Sequence, residues 1–175
     1  MANERLLITG MGGMTGRALA PLALQQGDYS VFGTVFNQHP PEIANLAAEG
    51  QIGLYPVDLR NTDETIRVFK DVRPQTIIHL AGHALDNPAL GPRVYGDNMA
   101  ILENVLAGMR DLVYSPRLVL NSSVVVYGRP ETPEIMAEVP TSDLPEPDRS
   151  REFYRSSKLD QERRIPETGL DDFII

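Results

Sequence analysis

Tyr154 and Lys158 lie four residues apart in the segment EFYRSSKLDQE, near the carboxyl end of the 175-residue sequence. On a helix this spacing places both side chains on one face. A neighbouring ammonium group stabilises a tyrosinate, so the pair predicts a phenol that can move a proton near neutral pH. In isolation the same spacing is also typical of a solvated helix face, and the interpretation therefore depends on the rest of the chain.

A glycine-rich segment, TGMGGMTG, directly follows the first predicted strand and has the spacing GxxGxxG. Glycine allows a sharp turn with positive φ and lets a ligand approach the backbone without meeting a Cβ. The helix that follows directs its unpaired N–H groups and positive dipole end at such a ligand. The segment therefore predicts a cradle for the diphosphate of a dinucleotide, although a plain tight turn would favour glycine as well. The candidate cradle residues are Gly10, Gly13, Met14, Thr15 and Gly16.

Short apolar runs alternate with helical patterns along the whole sequence. The predicted strands are Arg5–Thr9, Ser30–Phe36, Ile52–Val57, Thr76–Leu80, Arg117–Leu120 and Asp172–Ile175. The predicted helices are Arg17–Gln26, which Pro21 should kink or shorten, Pro41–Glu49, Thr62–Val72 with Thr62 as N-cap, Val94–Arg110 and Arg149–Arg164. Five prolines predict a loop over residues 130–149. The alternation predicts one doubly wound α/β domain over residues 1–175, with a parallel sheet, helices on both faces and ligands beyond the carboxyl ends of the strands.

The composition is that of an acidic globular protein, with a formal net charge of −8 and no cysteine. The negative charge and the lack of a Lys/Arg stripe argue against nucleic acid as a partner. His39, His79 and His83 lack metal-ligand spacing, so no metal site is predicted, and His79 is expected to be a packed, hydrogen-bonded core histidine. We find no apolar run long enough to cross a membrane and no secretory signal, so we expect no membrane partner and a cytoplasmic location.

Several segments resemble, in the same order, those of the short-chain dehydrogenase/reductase superfamily, in particular its extended branch of nucleotide-sugar epimerases, dehydratases and reductases. The matching segments are TGxxGxxG after strand one, Asp58-Leu59 after strand three, HLAG at His79–Gly82, Asn98 followed by Asn104, NSSVVVYG at Asn121–Gly128, and YxxSK at Tyr154–Lys158. The resemblance implies a Rossmann-type fold, NAD or NADP as cofactor, and a nucleotide-activated sugar as substrate.

The resemblance also implies roles for the cofactor-binding residues. Asp58 and Leu59 correspond to the pair that receives the adenine ring. Leu80, Ala81 and Gly82 correspond to the segment that lies along the cofactor ribose. Asn98 corresponds to a residue whose role in the family is partly structural, and it could simply bridge backbone groups.

The catalytic residues that the resemblance implies are Ser123, Tyr154 and Lys158. Ser123 would hydrogen-bond the reacting oxygen of the substrate, and Tyr154 would move the proton that accompanies hydride transfer. Lys158 would also hold the hydroxyls of the nicotinamide ribose. Tyr127 could touch a sugar or simply pack.

The chain departs from the family pattern at the end of strand two, where an acidic residue selects NAD and a nearby arginine accepts the phosphate of NADP. The segment GTVFNQ has neither, and the selecting position falls on Phe36 or Asn37. The segment VFGT resembles the GDP-4-keto-6-deoxymannose reductase and GDP-mannose dehydratase group, where arginine often follows. Because no carboxylate would repel the phosphate, the sequence slightly favours NADP, with Asn37 as a cofactor contact.

Two further departures concern the catalytic helix and the length. Phe153 replaces the proline that usually precedes the catalytic tyrosine. The chain covers a little over half of a typical family member, so it is expected to lack most of the C-terminal substrate domain.

Two hypotheses follow from the sequence. The first is an NAD(P)-dependent epimerase, dehydratase or reductase acting on a nucleotide sugar, and the second is a non-catalytic NAD(P)-binding or sensing module, or a remnant of such an enzyme. The resemblance also implies a possible homodimer through helices 94–110 and 149–164. Asp160 and Glu162 are expected to lie on a solvated helix face.

Overall fold

The structure is a computed structural model that describes residues 3–37, 40–83, 90–128 and 139–175. The strands are β1 Glu4–Thr9, β2 Tyr29–Val35, β3 Ile52–Pro56, β4 Thr76–His79, β5 Arg117–Leu120 and β6 Phe173–Ile174. All neighbouring strands pair in parallel, in the order β3-β2-β1-β4-β5-β6. This is the strand order of a Rossmann-type sheet, and the predicted fold class is confirmed.

Helices cover both faces of the sheet. They are α1 Met14–Gln26, α2 Pro41–Ala48, α3 Thr62–Val72, α4 Arg93–Arg110 and α5 Phe153–Arg164. Successive residues of β1 point to opposite faces: Leu6 and Ile8 join a core with residues of α1 and α2, whereas Leu7 joins a core with residues of α3 and α4. Helix α5 packs beside α4 on the second face. The carboxyl ends of the strands are therefore left open between two helical layers.

Helices α1 and α5 begin at other residues than the sequence predicted. Helix α1 starts at Met14 rather than Arg17, because Gly13 already takes the N-cap position and its carbonyl accepts the Arg17 amide. Pro21 lies inside this helix without shortening it, and α1 ends at the predicted residue. Helix α5 starts at Phe153 rather than Arg149, because residues 148–152 form a turn closed by the Asp148 carbonyl.

The remaining differences are small. Asn61, not Thr62, caps α3, and its side chain accepts the Glu64 amide. The 3₁₀ turn Val124–Tyr127, which directly follows Ser123, was not predicted. Within the predicted loop, residues 141–143 form another 3₁₀ turn, while residues 130–138 of that loop and His39 lie outside the described residues. In the part of the chain that the structure describes, no helix is both long and apolar enough to cross a membrane.

Candidate functional site

A cavity of about 300 Å³ opens at the carboxyl ends of the first four strands. A volume of this size is at the lower end for small-molecule sites. The walls come from the glycine-rich segment after β1 and from the residues that follow β2, β3 and β4, with one side closed by α4. The lining residues are Gly10, Gly12, Gly13, Thr34, Val35, Phe36, Val57, Asp58, Leu59, Arg60, Leu80, Ala81, Gly82, His83, Asp97 and Ile101. We refer to it as the dinucleotide cleft.

Glycines of the segment after β1 occupy places that a side chain would fill. Gly10 has φ +67°, and a Cβ on it would lie 2.8 Å from the Cα of Ala81. The glycine therefore lets the end of β1 approach the end of β4. Gly16 is buried in the first turn of α1, where a Cβ would lie 2.6 Å from the Cα of Met11. Gly16 thus allows α1 to pack closely against the loop at Met11, whereas Gly10 and Gly13 line the cleft.

The first turn of α1 stands directly behind this segment. Its first N–H groups, at Met14, Thr15 and Gly16, have no acceptor within the helix, as at any helix start. No acidic residue occupies this turn, and no side chain caps it. The Met14 side chain is 81% exposed. The side chains of Met14 and Thr15 are outside the cleft lining, so their possible contribution is their backbone N–H groups.

Asp58, Arg60, Asp97 and His83 form a connected group on one wall of the cleft, which we call the charge cluster. Arg60 donates from Nε and Nη2 to Asp58 at 2.9 and 2.7 Å, and from Nη1 to Asp97 at 3.1 Å. Nε2 of His83 donates to the same Asp97 oxygen at 3.0 Å. The guanidinium carbon of Arg60 also lies 5.3 Å from the centroid of the Phe36 ring. The cluster thus joins the ends of β2, β3 and β4 to α4.

These contacts keep the charged members ionised. The Arg60 hydrogen bond lowers the pKa of Asp58. Partial burial acts to raise the pKa of Asp97, but the His83 hydrogen bond and the Arg60 charge more than offset it, and this pKa is lowered overall. The Asp58 hydrogen bond in turn raises the pKa of Arg60. The sequence predicted a role for Asp58 but not for Arg60 or Asp97, because only the fold brings these two residues to the end of β2.

Asn98 is a buried residue of α4 that contacts α5 and the segment after β4. It is 1% exposed, its Oδ1 accepts the His83 amide at 2.7 Å, and its Nδ2 donates to Ser157 Oγ at 3.0 Å. Its own carbonyl accepts from Gln161 at 2.9 Å. Asn98 therefore bridges backbone groups, which was one of the two roles considered from the sequence.

Lys158 brings α5 to the end of β5. Its ammonium donates to the carbonyl of Asn121 at 2.8 Å, two residues before Ser123. Ser123 caps the 3₁₀ turn Val124–Tyr127, with Oγ accepting the Val125 amide at 3.4 Å, and this turn packs on α5. Tyr154 lies one turn before Lys158 in the same helix. The three predicted catalytic residues therefore belong to one corner of the molecule, which we call the catalytic corner.

Two further side chains of α5 hold this corner. Arg155 is 8% exposed; it donates to the carbonyls of Val126 and Pro145 and pairs with Glu152 at 3.2 Å. Glu162 accepts a hydrogen bond from Ser122, the residue before Ser123.

The expectation that Asp160 and Glu162 lie on a solvated face is wrong. Glu162 accepts the Ser122 hydrogen bond, and Asp160 is bonded to Tyr95 at 2.8 Å and to Arg149 at 2.7 Å. Both carboxylates are partly buried, because α5 packs against α4 and against the loop that precedes α5. Tyr127 packs partly buried against the small apolar cluster formed by Val126, Leu144 and Leu159.

Burial changes the titration of two groups beneath the site. It lowers the pKa of Lys158 to about 8, although the nearby Glu162 acts in the opposite direction. It also lowers the pKa of His79 to about 3, and the Lys158 charge adds to this effect. His79 is fully buried, and its Nδ1 lies 2.8 Å from the Thr9 hydroxyl, as expected for a hydrogen-bonded core histidine. Because that hydroxyl already accepts from the Leu80 and Ala81 amides, its own proton goes to Nδ1 and His79 is neutral.

The predicted cofactor residues fall into two sets. Gly10, Gly13, Asp58, Leu59, Leu80, Ala81 and Gly82 line the dinucleotide cleft. Met14, Thr15, Gly16, Asn37, Asn98, Tyr154 and Lys158 lie outside its lining. Asn37 is exposed and has φ +54°, a left-handed conformation that asparagine tolerates better than most residues. The residue after β2 that does line the cleft is Phe36.

Solved structures of known proteins share this fold. A UDP-glucose 4-epimerase of Thermus thermophilus in complex with NAD has a TM-score of 0.76 and 24% identity, and the match covers 94% of this chain and 50% of that one. A UDP-glucose 4-epimerase of Bifidobacterium longum, in complex with NAD+ and UDP, has a TM-score of 0.75 and 22% identity, covering 96% and 50%. Each shared region is about half of the larger chain.

Curated relatives and a family model match the sequence itself. A CDP-paratose 2-epimerase of Salmonella typhi is 29% identical over 71% of this chain and 38% of its own length. A UDP-glucose 4-epimerase of Cyamopsis tetragonoloba is 28% identical over 81% of this chain and 43% of its own length. The chain thus spans less than half the length of these relatives. The model of the NAD dependent epimerase/dehydratase family matches residues 6–166. The chain belongs to the NAD dependent epimerase/dehydratase family.

Proposed function

We propose that this chain carries the cofactor site and the catalytic residues of an enzyme that transfers hydride between NAD and a sugar carbon of a nucleotide-activated sugar. The family and the relatives named as sugar-nucleotide epimerases support an epimerase-type reaction. Two similar solved proteins are complexes with NAD, while nothing supports the slight preference for NADP drawn from the sequence. A cytoplasmic location is proposed with it.

The lining of the dinucleotide cleft has features that a cofactor site needs. The lining includes a glycine segment in which a Cβ at Gly10 would meet Ala81, and the unpaired N–H groups of the first turn of α1 would be available to a diphosphate. In this proposal Asp58 and Leu59 contact the adenine, and Leu80, Ala81 and Gly82 lie along a ribose. When bound, the nicotinamide ring supplies the hydride acceptor and donor.

The observation that carries the proposal is the Lys158–Asn121 hydrogen bond of 2.8 Å, which brings the ammonium of α5 to the end of β5, at a residue two positions before Ser123. With a pKa of about 8, this ammonium remains mostly charged at pH 7. It can therefore stabilise a tyrosinate at Tyr154 and hold ribose hydroxyls. Tyr154 would take or return the proton, and Ser123 would hydrogen-bond the reacting oxygen.

Substitution of Tyr154 tests the catalytic part of the proposal. Tyr154→Phe keeps the aromatic ring but removes the phenolic hydroxyl that would transfer the proton. We therefore expect turnover of sugar nucleotides to fall by about 10²–10⁴-fold. NADH binding, followed by nicotinamide fluorescence, should change far less. Turnover is measured by NMR on a panel of UDP- and CDP-activated hexoses. Tyr29→Phe, at the amino-terminal end of β2, is the matched control.

Three results would decide the proposal. Loss of turnover in Tyr154→Phe but not in Tyr29→Phe supports it. A wild type that binds NADH but converts no sugar nucleotide contradicts catalysis by this chain and favours the binding module. A wild type that binds neither NADH nor NADPH contradicts the cofactor site itself.

A further inference from the structure

Arg60 stands where a cleft that accepts NADP needs a cation. Its guanidinium lies over the ring of Phe36, which directly follows β2, and both residues line the cleft. In dinucleotide-binding folds a carboxylate near the end of this strand pairs with the ribose hydroxyls of NAD, whereas a nearby arginine accommodates the 2′-phosphate of NADP. Taken alone, Arg60 would favour NADP.

Two carboxylates already engage this guanidinium. Asp58 accepts from Nε and Nη2, and Asp97 accepts from Nη1, so three of the five N–H groups are used. Two negative charges against one positive charge leave the Asp58–Arg60–Asp97 group with one net negative charge. The cation is therefore present but neutralised.

Asp97 is held firmly in this position. Its side chain is 18% exposed, and Nε2 of His83 donates to the oxygen that also accepts from Arg60. The backbone amide of His83 is in turn fixed by Asn98 at 2.7 Å. Asp97 comes from α4, whereas Asp58 and Arg60 share one loop. Of the two carboxylates, Asp97 is the one whose charge can be removed by substitution while the Asp58–Arg60 ion pair stays in place with no net charge.

We propose that Asp97 is a specificity-determining residue that makes the cleft select NAD over NADP, by holding Arg60 neutralised between itself and Asp58. The inference rests on the proposed cofactor function. A 2′-phosphate, with a charge of about −1.5 to −2 near pH 7, meets a group with one net negative charge, in which two carboxylates already use three of the five N–H groups of Arg60. Ribose hydroxyls carry no charge and donate to carboxylate oxygens. The cleft would therefore select NAD because the net negative group repels the 2′-phosphate of NADP.

The test compares NADH and NADPH binding to the full 175-residue chain by nicotinamide fluorescence. The wild type should bind NADH at least about tenfold more tightly than NADPH, and Asp97→Asn should reduce this Kd ratio by about tenfold. Asp28→Asn removes the same charge at the amino-terminal edge of the sheet and should leave the ratio unchanged. Asp58→Asn is a second variant at the cluster and should shift the ratio in the same direction. Thermal unfolding checks that each variant is folded.

The outcomes separate this inference from the proposed function. Equal binding of both cofactors by the wild type, or tighter binding of NADPH, overturns the inference and leaves the cofactor site intact. An unchanged Kd ratio in folded Asp97→Asn and Asp58→Asn also overturns the inference. An equal shift of the ratio in Asp28→Asn overturns it as well, because the selectivity would then come from the net charge of the protein and not from the cluster. Binding of neither cofactor overturns the proposed function and the inference together.

Discussion

The dinucleotide cleft and the catalytic corner are built in different ways. The cleft depends on close backbone approach: Gly10 permits contact between the ends of β1 and β4. The corner depends on side chains of one helix, since Arg155 and Lys158 donate to carbonyls of the segment around Ser123 and Glu162 accepts from Ser122. These contacts span 29, 37 and 40 residues of sequence. The cleft should therefore be sensitive to added atoms, and the corner to lost hydrogen bonds.

Gly10→Ala should have the largest effect, because its Cβ would lie 2.8 Å from backbone atoms at a residue with φ +67°. We expect the free energy of unfolding to fall by about 4 kcal/mol, with loss of NADH binding. Gly27→Ala is the matched control, since Gly27 has φ +75° and no atom of the described residues lies within 4 Å of a Cβ placed on it. It should cost only about 1 kcal/mol. Urea unfolding measures both, and equal losses would contradict the steric explanation.

Arg155→Met should have an intermediate effect, confined to the corner. It leaves the carbonyls of Val126 and Pro145 and the Glu152 carboxylate without this cation, so we expect a loss of about 2 kcal/mol in the free energy of unfolding. Because the Ser123 turn loses one of its links to α5, turnover should also fall by about tenfold, through kcat rather than KM.

Arg151→Met is the control for this variant. The Arg151 side chain is 80% exposed and pairs only with the nearby Asp148 among the described contacts. It should change stability by less than about 0.5 kcal/mol and leave turnover unaltered. If the Arg155 variant kept wild-type kcat while losing stability, Arg155 would support only the fold and not the geometry of the corner.

The difference between the two regions also explains what the sequence could predict. The positions of the strands and helices and the glycine segment follow from hydrophobic periodicity and from glycine spacing, which are local features. Arg60 and Asp97 were missed because they come from the loop after β3 and from α4, and only tertiary packing carries them to Phe36. Glu162 was read as solvated for the same reason, since its partner Ser122 lies 40 residues earlier. Local patterns therefore predict the backbone frame, while the charge distribution of the site depends on long-range packing.

His79 lies where the two regions meet and gives the smallest predicted effect. Its Nδ1 accepts from Thr9 of β1, on the cleft side, and its pKa is lowered to about 3 by burial and by Lys158 of the corner. The unfolded chain binds a proton at this residue near pH 6.5, whereas the folded chain does not. Stability is therefore lost as the pH falls below about 6.5, by about 1 kcal/mol at pH 5.5.

His79→Gln keeps an acceptor for the Thr9 hydroxyl but cannot titrate, so the difference in urea midpoint between about pH 7.5 and 5.5 should shrink in this variant. If His79→Gln kept the full pH dependence, His79 would be charged or accessible in the folded chain. The ring could not then be fully buried and accept the Thr9 hydrogen bond at Nδ1.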